Sequence, residues 1–179
     1  MYGHLAHLHP QLVQAHVSKI SDSIVARLKE KDATRELRET CATAFAQLVT
    51  ELGTDATLTA VLRPLLPLVS EPSEAYQLGC AICLTAILPA AGAQSDLPEG
   101  VAQRIATPLL RTLSHPAVGA HPALLDAAGT FLLQAGHYAT RPFASPFLSS
   151  ALNAASSSCL LYTSPSPRDQ RGSRMPSSA

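Results

Sequence analysis

Three sets of side chains in this chain could carry chemistry. Cys80 and Cys83 form a C-x-x-C pair, the spacing of a redox couple or of half a zinc site. A reactive pair needs a thiolate at a helix N-terminus, and a structural zinc needs four ligands. Both thiols lie well inside an apolar stretch with no second C-x-x-C or histidine pair nearby, so they read as core cysteines, as does Cys41 by its spacing. His4, His7, His9 and His16 could gather a metal, but the run reaches Pro10 with no cysteine or carboxylate close in sequence, and no metal site is expected. The third set is basic: Lys19, Arg27, Lys29, Lys31, Arg35 and Arg38. Lys29, Lys31, Arg35 and Arg38 flank one polar turn, and a positive edge suits an acidic protein surface and speeds encounter with it. The alternative is a mixed, solvated edge, because Glu30, Asp32, Glu36 and Glu39 interleave the cations and Arg38 could serve the fold.

Nothing in the chain matches a nucleophile elbow, a Walker loop or a dinucleotide fingerprint. No catalytic residue and no cofactor are therefore expected, and an interaction surface is the better reading than an enzyme. The net charge of zero gives no global attraction to nucleic acid. There is no basic segment followed by a secretory apolar run, and no apolar run is read as long enough to span a membrane. Four cysteines without a disulfide-framework spacing fit a reducing, cytoplasmic compartment.

The elements that must position these residues are helices. Ile20, Ile24, Val25 and Leu28 recur at helical spacing, preceded by Leu12, Val13 and Val17, with Pro10 suited to the helix start. Leu37, Cys41, Ala44, Phe45, Leu48 and Val49 form the stripe of a second helix, about 34–52, which Asp32 or Thr34 can cap and Gly53 can end. Neither stripe can be buried alone, which makes the pair a helical hairpin. A second hairpin runs through Leu58, Val61, Leu62, Leu65, Leu66 and Val69, with a kink or early break expected at Pro64 and Pro67. Ser73 is the expected cap of its second, almost wholly apolar helix, followed by a loop from Pro89 to Pro98. The third hairpin carries Val101, Ile105, Leu109, Leu110 and Leu113, then Leu124, Leu125, Ala128, Phe131 and Leu132, ending at Gly136. A last helix is expected from Pro142 to Ala155.

Leu28, Leu68 and Leu113 close the first helix of each pair, spaced by 40 and 45 residues, within the roughly 40–47-residue period of HEAT and armadillo arrays. The expected fold is all-α, an α-solenoid of HEAT/armadillo-like helical hairpins. The order Leu28, Asp32, Leu37-Arg38, Cys41, Ala44-Phe45 resembles the HEAT motif's leucine, turn aspartate, Val-Arg pair and small residues.

A closer resemblance covers about Val13 to Gly136. Ala15-His16-Val17-Ser18-Lys19-Ile20 with Ile24 to Lys29 resembles the "HLxKI…IVxRLKD" helix of the Tortifolia family, plant microtubule-associated HEAT-repeat proteins. Leu37-Arg38-Glu39-Thr40-Cys41 resembles the Val-Arg-x-x-Cys that follows it. Gln77 to Leu84 resembles "VQxGAAxCLA", and Ala123 to Gly129 resembles "KASLLxxxGSL". The resemblance implies a TOG-like, microtubule-binding interaction domain of the cytoskeleton, with tubulin as partner and the turn residues Lys29, Lys31, Arg35 and Arg38 facing it. It implies neither nucleic acid nor membrane as a partner. Family members carry more Lys and Arg in these turns, whereas here Glu71 and Glu74 make the second turn acidic. A generic HEAT scaffold of the transport-receptor or phosphatase type, binding a protein along its concave face, is the alternative.

Residues 159–179 resemble a translated sequencing adapter: the codons of a transposase mosaic end read Cys159-Leu160-Leu161-Tyr162-Thr163-Ser164, and Ser173 to Ala179 matches a flow-cell end. The expected organisation is thus a solenoid over 1–158, cut from a longer protein at both ends, and a non-native, disordered segment over 159–179. Without that segment the chain has ten basic and twelve acidic residues.

Overall fold

The computed structural model describes residues 6–30, 32–93, 97–115, 121–134 and 137–162, apart from the side chains of 137–140, 154–155 and 157–162. Gly136, expected to end the third hairpin, lies outside them.

Helix α1 spans Pro10–Leu28, with proline in its first turn, where the missing N–H would lack a helical partner anyway. Its buried residues are Val13, Val17, Ser21, Ile24, Val25 and Leu28. Ile20 is only half-buried, and Leu12 points outward at 62% exposure. Ser21 fills the inner face instead, its hydroxyl donating to the Val17 carbonyl at 2.8 Å, which satisfies a buried polar group locally.

Helix α2 spans Arg35–Leu52. Of the two expected caps it is Thr34 that acts: its Oγ1 accepts from the Leu37 N–H at 3.2 Å. Gly53 ends the helix at φ 56°, its N–H donating to the Val49 carbonyl at 3.0 Å. That left-handed position is the one a glycine occupies without a Cβ clash. Cys41, Ala42, Phe45, Leu48 and Val49 are its buried face.

The second hairpin breaks where the prolines require. Helix α3 runs Asp55–Leu65, capped by Thr54 Oγ1, and a 3-10 segment continues over Leu66–Ser70. Pro64 and Pro67 each remove an i→i−4 donor, so the α ladder fails and the chain tightens. Helix α4 spans Glu74–Gly92. Ser73 occupies the cap position, but its side chain makes no capping bond; Gln77 Nε2 bonds the Glu71 carbonyl at 2.7 Å and ties the turn instead. The expected loop starting at Pro89 is corrected: α4 runs through Pro89 to Gly92.

Helix α5 spans Glu99–Leu113 with Pro108 inside it, α6 spans Pro122–Gln134, and α7 spans His137–Tyr162. The expected start of α7 at Pro142 is also corrected, since Pro142 and Pro146 both lie within it. The helix continues through Tyr162, beyond the boundary placed at 158; residues 163–179 are outside the described set. Phe131 of α6 holds α7 through Phe147 at 5.6 Å and Phe143 at 6.3 Å, ring centre to ring centre, spacings at which tilted and edge-on aromatic pairs attract.

The elements form two layers. In one, the second helices stack α2 on α4 on α6. In the other, α1 packs on α3, the 3-10 segment on α5, and α5 on α7. Thr112 crosses between hairpins, its buried hydroxyl donating to the Val69 carbonyl at 2.8 Å. Each hairpin thus buries its stripe against its neighbour, and the chain is an all-α helical-repeat solenoid. The sequence reading on membrane-length helices also needs correcting, because Glu74–Gly92 is long and apolar enough to cross a membrane by length and composition. Its apolarity has another use here: α4 is the middle helix of its layer, flanked by α2, α6 and the 3-10 segment, with Cys80, Ala81, Cys83, Leu84, Ile87 and Leu88 all fully buried.

Candidate functional site

The turn between α1 and α2 is built from its flanks inward. Leu28 is the last core residue of α1, and Thr34 starts α2. The Lys29 carbonyl accepts from the Tyr76 hydroxyl at 3.1 Å, so the turn's backbone is tied to the first turn of α4. Lys29, Glu30, Asp32 and Arg35 are exposed; Lys31 lies outside the described residues. The interleaved charges pair in part: Arg27 meets Glu30 at 2.8 Å and Arg35 Nε meets Glu39 at 2.7 Å. All four of those side chains are largely solvated, so the pairs contribute little to stability. Lys29 has no ion-pair partner among the described residues.

Arg38 differs from the other three. It is half-buried, and its side-chain stem lies against Gly79 of α4: a Cβ built there would sit 3.7 Å from Arg38 Cδ and 3.7 Å from Leu28 Cδ2. Its Nε–H is buried with no acceptor, as is the Gln77 Oε1 with no donor. Arg38 therefore lies on the stacked face of α2 and α4, off the solvated rim that Lys29 and Arg35 share.

That stacked face carries a feature the sequence reading missed. An open groove of about 690 Å³ crosses the second helices, with Arg35, Arg38 and Glu39 at one end, Leu78, Ile82 and Ala86 in the middle, and His121, Ala123 and Asp126 at the other. Leu78, Ile82 and Ala86 are half-exposed there, but α4 reads as uniformly apolar in the sequence, which hides which side is left open.

The cysteines are core residues. Cys41, Cys80 and Cys83 are buried, and Cys80 Sγ donates to the Leu65 carbonyl at 3.3 Å. Burial pushes all three thiols above the ordinary range; the neighbouring Glu30 adds to this for Cys41, and the other two thiols add to it for Cys83. A thiolate is thus disfavoured where a redox pair would need one. His7 Nδ1 lies 3.0 Å from Glu51 Oε2 in the open, and His4 is outside the described residues. Among the described residues no group of His, Cys, Asp or Glu is arranged to hold a metal.

Comparison with known proteins shows the family. The family described as TORTIFOLIA1 N-terminal matches residues 1–158. The chain belongs to the Tortifolia family. A Tortifolia relative, TORTIFOLIA1-like protein 4 of Arabidopsis thaliana, is 30% identical over 140 residues, which is 77% of this chain and 21% of the relative. The chain thus spans about a fifth of that relative's length. No solved structure matches the chain. Within the Tortifolia match lie both the basic turn and the three stacked second helices.

Proposed function

We propose that this chain is a microtubule-binding interaction domain of the cytoplasmic cytoskeleton, and that Lys29, Lys31 and Arg35 form the edge that meets tubulin, with Arg38, the fourth cation of the turn, packed behind that edge rather than in it. The observation that carries the reading is the exposure of Lys29 and Arg35, at a turn where Glu30, Asp32, Glu36 and Glu39 interleave the cations, in a chain matched to the Tortifolia family over residues 1–158. The physics is electrostatic complementarity. An acidic polymer attracts a positive rim, raising encounter rate and fixing orientation more than it adds raw affinity. The turn is suited to this because the Tyr76–Lys29 hydrogen bond and the Thr34 cap hold its backbone, so side chains need not be ordered on a loose loop. No step requires a nucleophile or a cofactor. In this reading the partner surface lies within residues 1–158, and residues 159–179 are adapter-derived and take no part in it.

Co-sedimentation of the chain with polymerised microtubules tests the proposal. Saturable co-sedimentation that weakens with added salt is the expected result. A chain that stays in the supernatant would instead support the generic HEAT-scaffold reading.

A further inference from the structure

The groove across the second helices meets the rim at Arg35 and runs from there over α4 to α6. Its two ends hold Arg38 and Asp126, neither of them ion-paired among the described residues. At the α2 end, Arg35 is held by Glu39, but Arg38 has no ion pair among the described residues, and its Nε–H is buried without an acceptor. Arg38 lines the groove. At the α6 end, Asp126 is exposed and has no ion pair among the described residues. Between them the floor is apolar: Ala42 of α2, then Leu78, Ile82 and Ala86 of α4, then Ala123 of α6. The Thr43 and Thr85 hydroxyls that border it are turned to the carbonyls of Glu39 and Ala81, at 2.9 and 3.0 Å, so they add little polarity to it.

We infer that this groove takes an extended peptide segment of a protein partner, carrying a carboxylate at one end over Arg38, apolar side chains over α4, and a cation at the other end over Asp126. Charge complementarity at both ends selects this occupant. The spacing follows from the layers. Packed helices lie about 8–10 Å apart, so the two steps from α2 to α6 span roughly 16–20 Å, which a strand covers in about five or six residues at about 3.3 Å each. The segment therefore has an acidic residue and a basic residue about six positions apart, with apolar residues between. The volume of about 690 Å³ is within the range of about 300–1,000 Å³ usual for binding clefts. The site borders the rim at Arg35 but is proposed to bind through Arg38, the α4 floor and Asp126, and it uses neither Lys29 nor Lys31, so its test is separate from microtubule binding.

The test uses the full chain and a labelled, end-capped synthetic peptide with glutamate first, lysine six positions later, and leucine and serine between, read by fluorescence anisotropy. Saturable binding is expected. Asp126→Lys, a change at an exposed position that circular dichroism should show to be folded, should weaken it at least tenfold. Replacing the peptide's lysine by glutamate should restore binding to the Asp126→Lys chain and abolish the parent's preference. No saturable binding, equal binding by parent and variant, or failure of the charge swap to rescue would each overturn the proposal. So would a concentration-dependent dimer that Asp126→Lys dissolves, which would assign the groove to a second copy of the chain.

Discussion

Phe45 illustrates how single residues set this fold. It is fully buried, among the largest side chains with no exposure, on α2 where the first hairpin meets the second. Aromatic truncation at such a site removes transfer free energy and leaves a cavity, so Phe45→Ala should cost about 3–5 kcal/mol. A urea titration reading the shift in midpoint checks this, and an unshifted midpoint would contradict the placement. The buried thiols give a second expectation at this scale. Their folded pKa values lie above the unfolded value of about 8.5. The unfolded chain therefore ionises first as pH rises, and the stability these thiols contribute is complete below about pH 8 and lost above it. The fully buried Cys80 and Cys83 should account for most of that loss. Unfolding midpoints measured from pH 7 to 10 should fall at the alkaline end, and less steeply in Cys80→Ala. Alkylation of the native chain at pH 8 should spare Cys41, Cys80 and Cys83 until denaturant is added.

Element boundaries show which sequence signals decide and which do not. Thr34, Gly53, Pro64 and Pro67 each act through backbone hydrogen bonding, and each acts where expected. Pro89 and Pro142 did not end or start their helices as expected. A proline removes one donor and crowds one carbonyl, and tertiary packing of the flanking turns outweighs that where the next core residues still face inward, as Ala91 does after Pro89. The period of Leu28, Leu68 and Leu113 made the hairpins legible. The apolar uniformity of α4 concealed the groove, since periodicity cannot show an open side on a helix with no polar face. Gly129 of α6 is a helix-interior glycine with nothing within 4 Å of a built Cβ. Gly129→Ala should stabilise the chain by up to about 1 kcal/mol through helix propensity alone, raising the melting temperature. A lowered melting temperature would mean that α6 is not packed as described. Gly92 is the contrast: a Cβ there would meet Gln134 Oε1 at 2.6 Å, with Gln134 backbone O at 3.3 Å.

At the scale of the whole molecule, the solenoid separates two surfaces that the basic residues alone did not distinguish. Lys29 and Arg35 are exposed at the turn, whereas Arg38 is half-buried, packs its stem against Gly79 and lines the groove. Sequence spacing placed all four cations beside one turn; helical geometry, with Arg38 one turn in from the cap, divides them. Charges on the rim are cheap to change. Reversing Arg35 replaces its pair with Glu39 by a like-charge i,i+4 contact, a cost of a few tenths of a kcal/mol, roughly 0.2–0.5, and exposed pairs in general contribute about 0–1 kcal/mol. Changing Arg38 should instead lower the melting temperature, because it removes packing between α2 and α4.

The most direct measurement is microtubule co-sedimentation of the parent chain and of a variant with Lys29, Lys31 and Arg35 all changed to Glu, at low and at physiological salt, with circular dichroism as the folding control. The rim account predicts that the variant folds like the parent and binds at least about tenfold more weakly at low salt, a gap that narrows as salt screens the charges. Equal, salt-insensitive binding by parent and variant would contradict it.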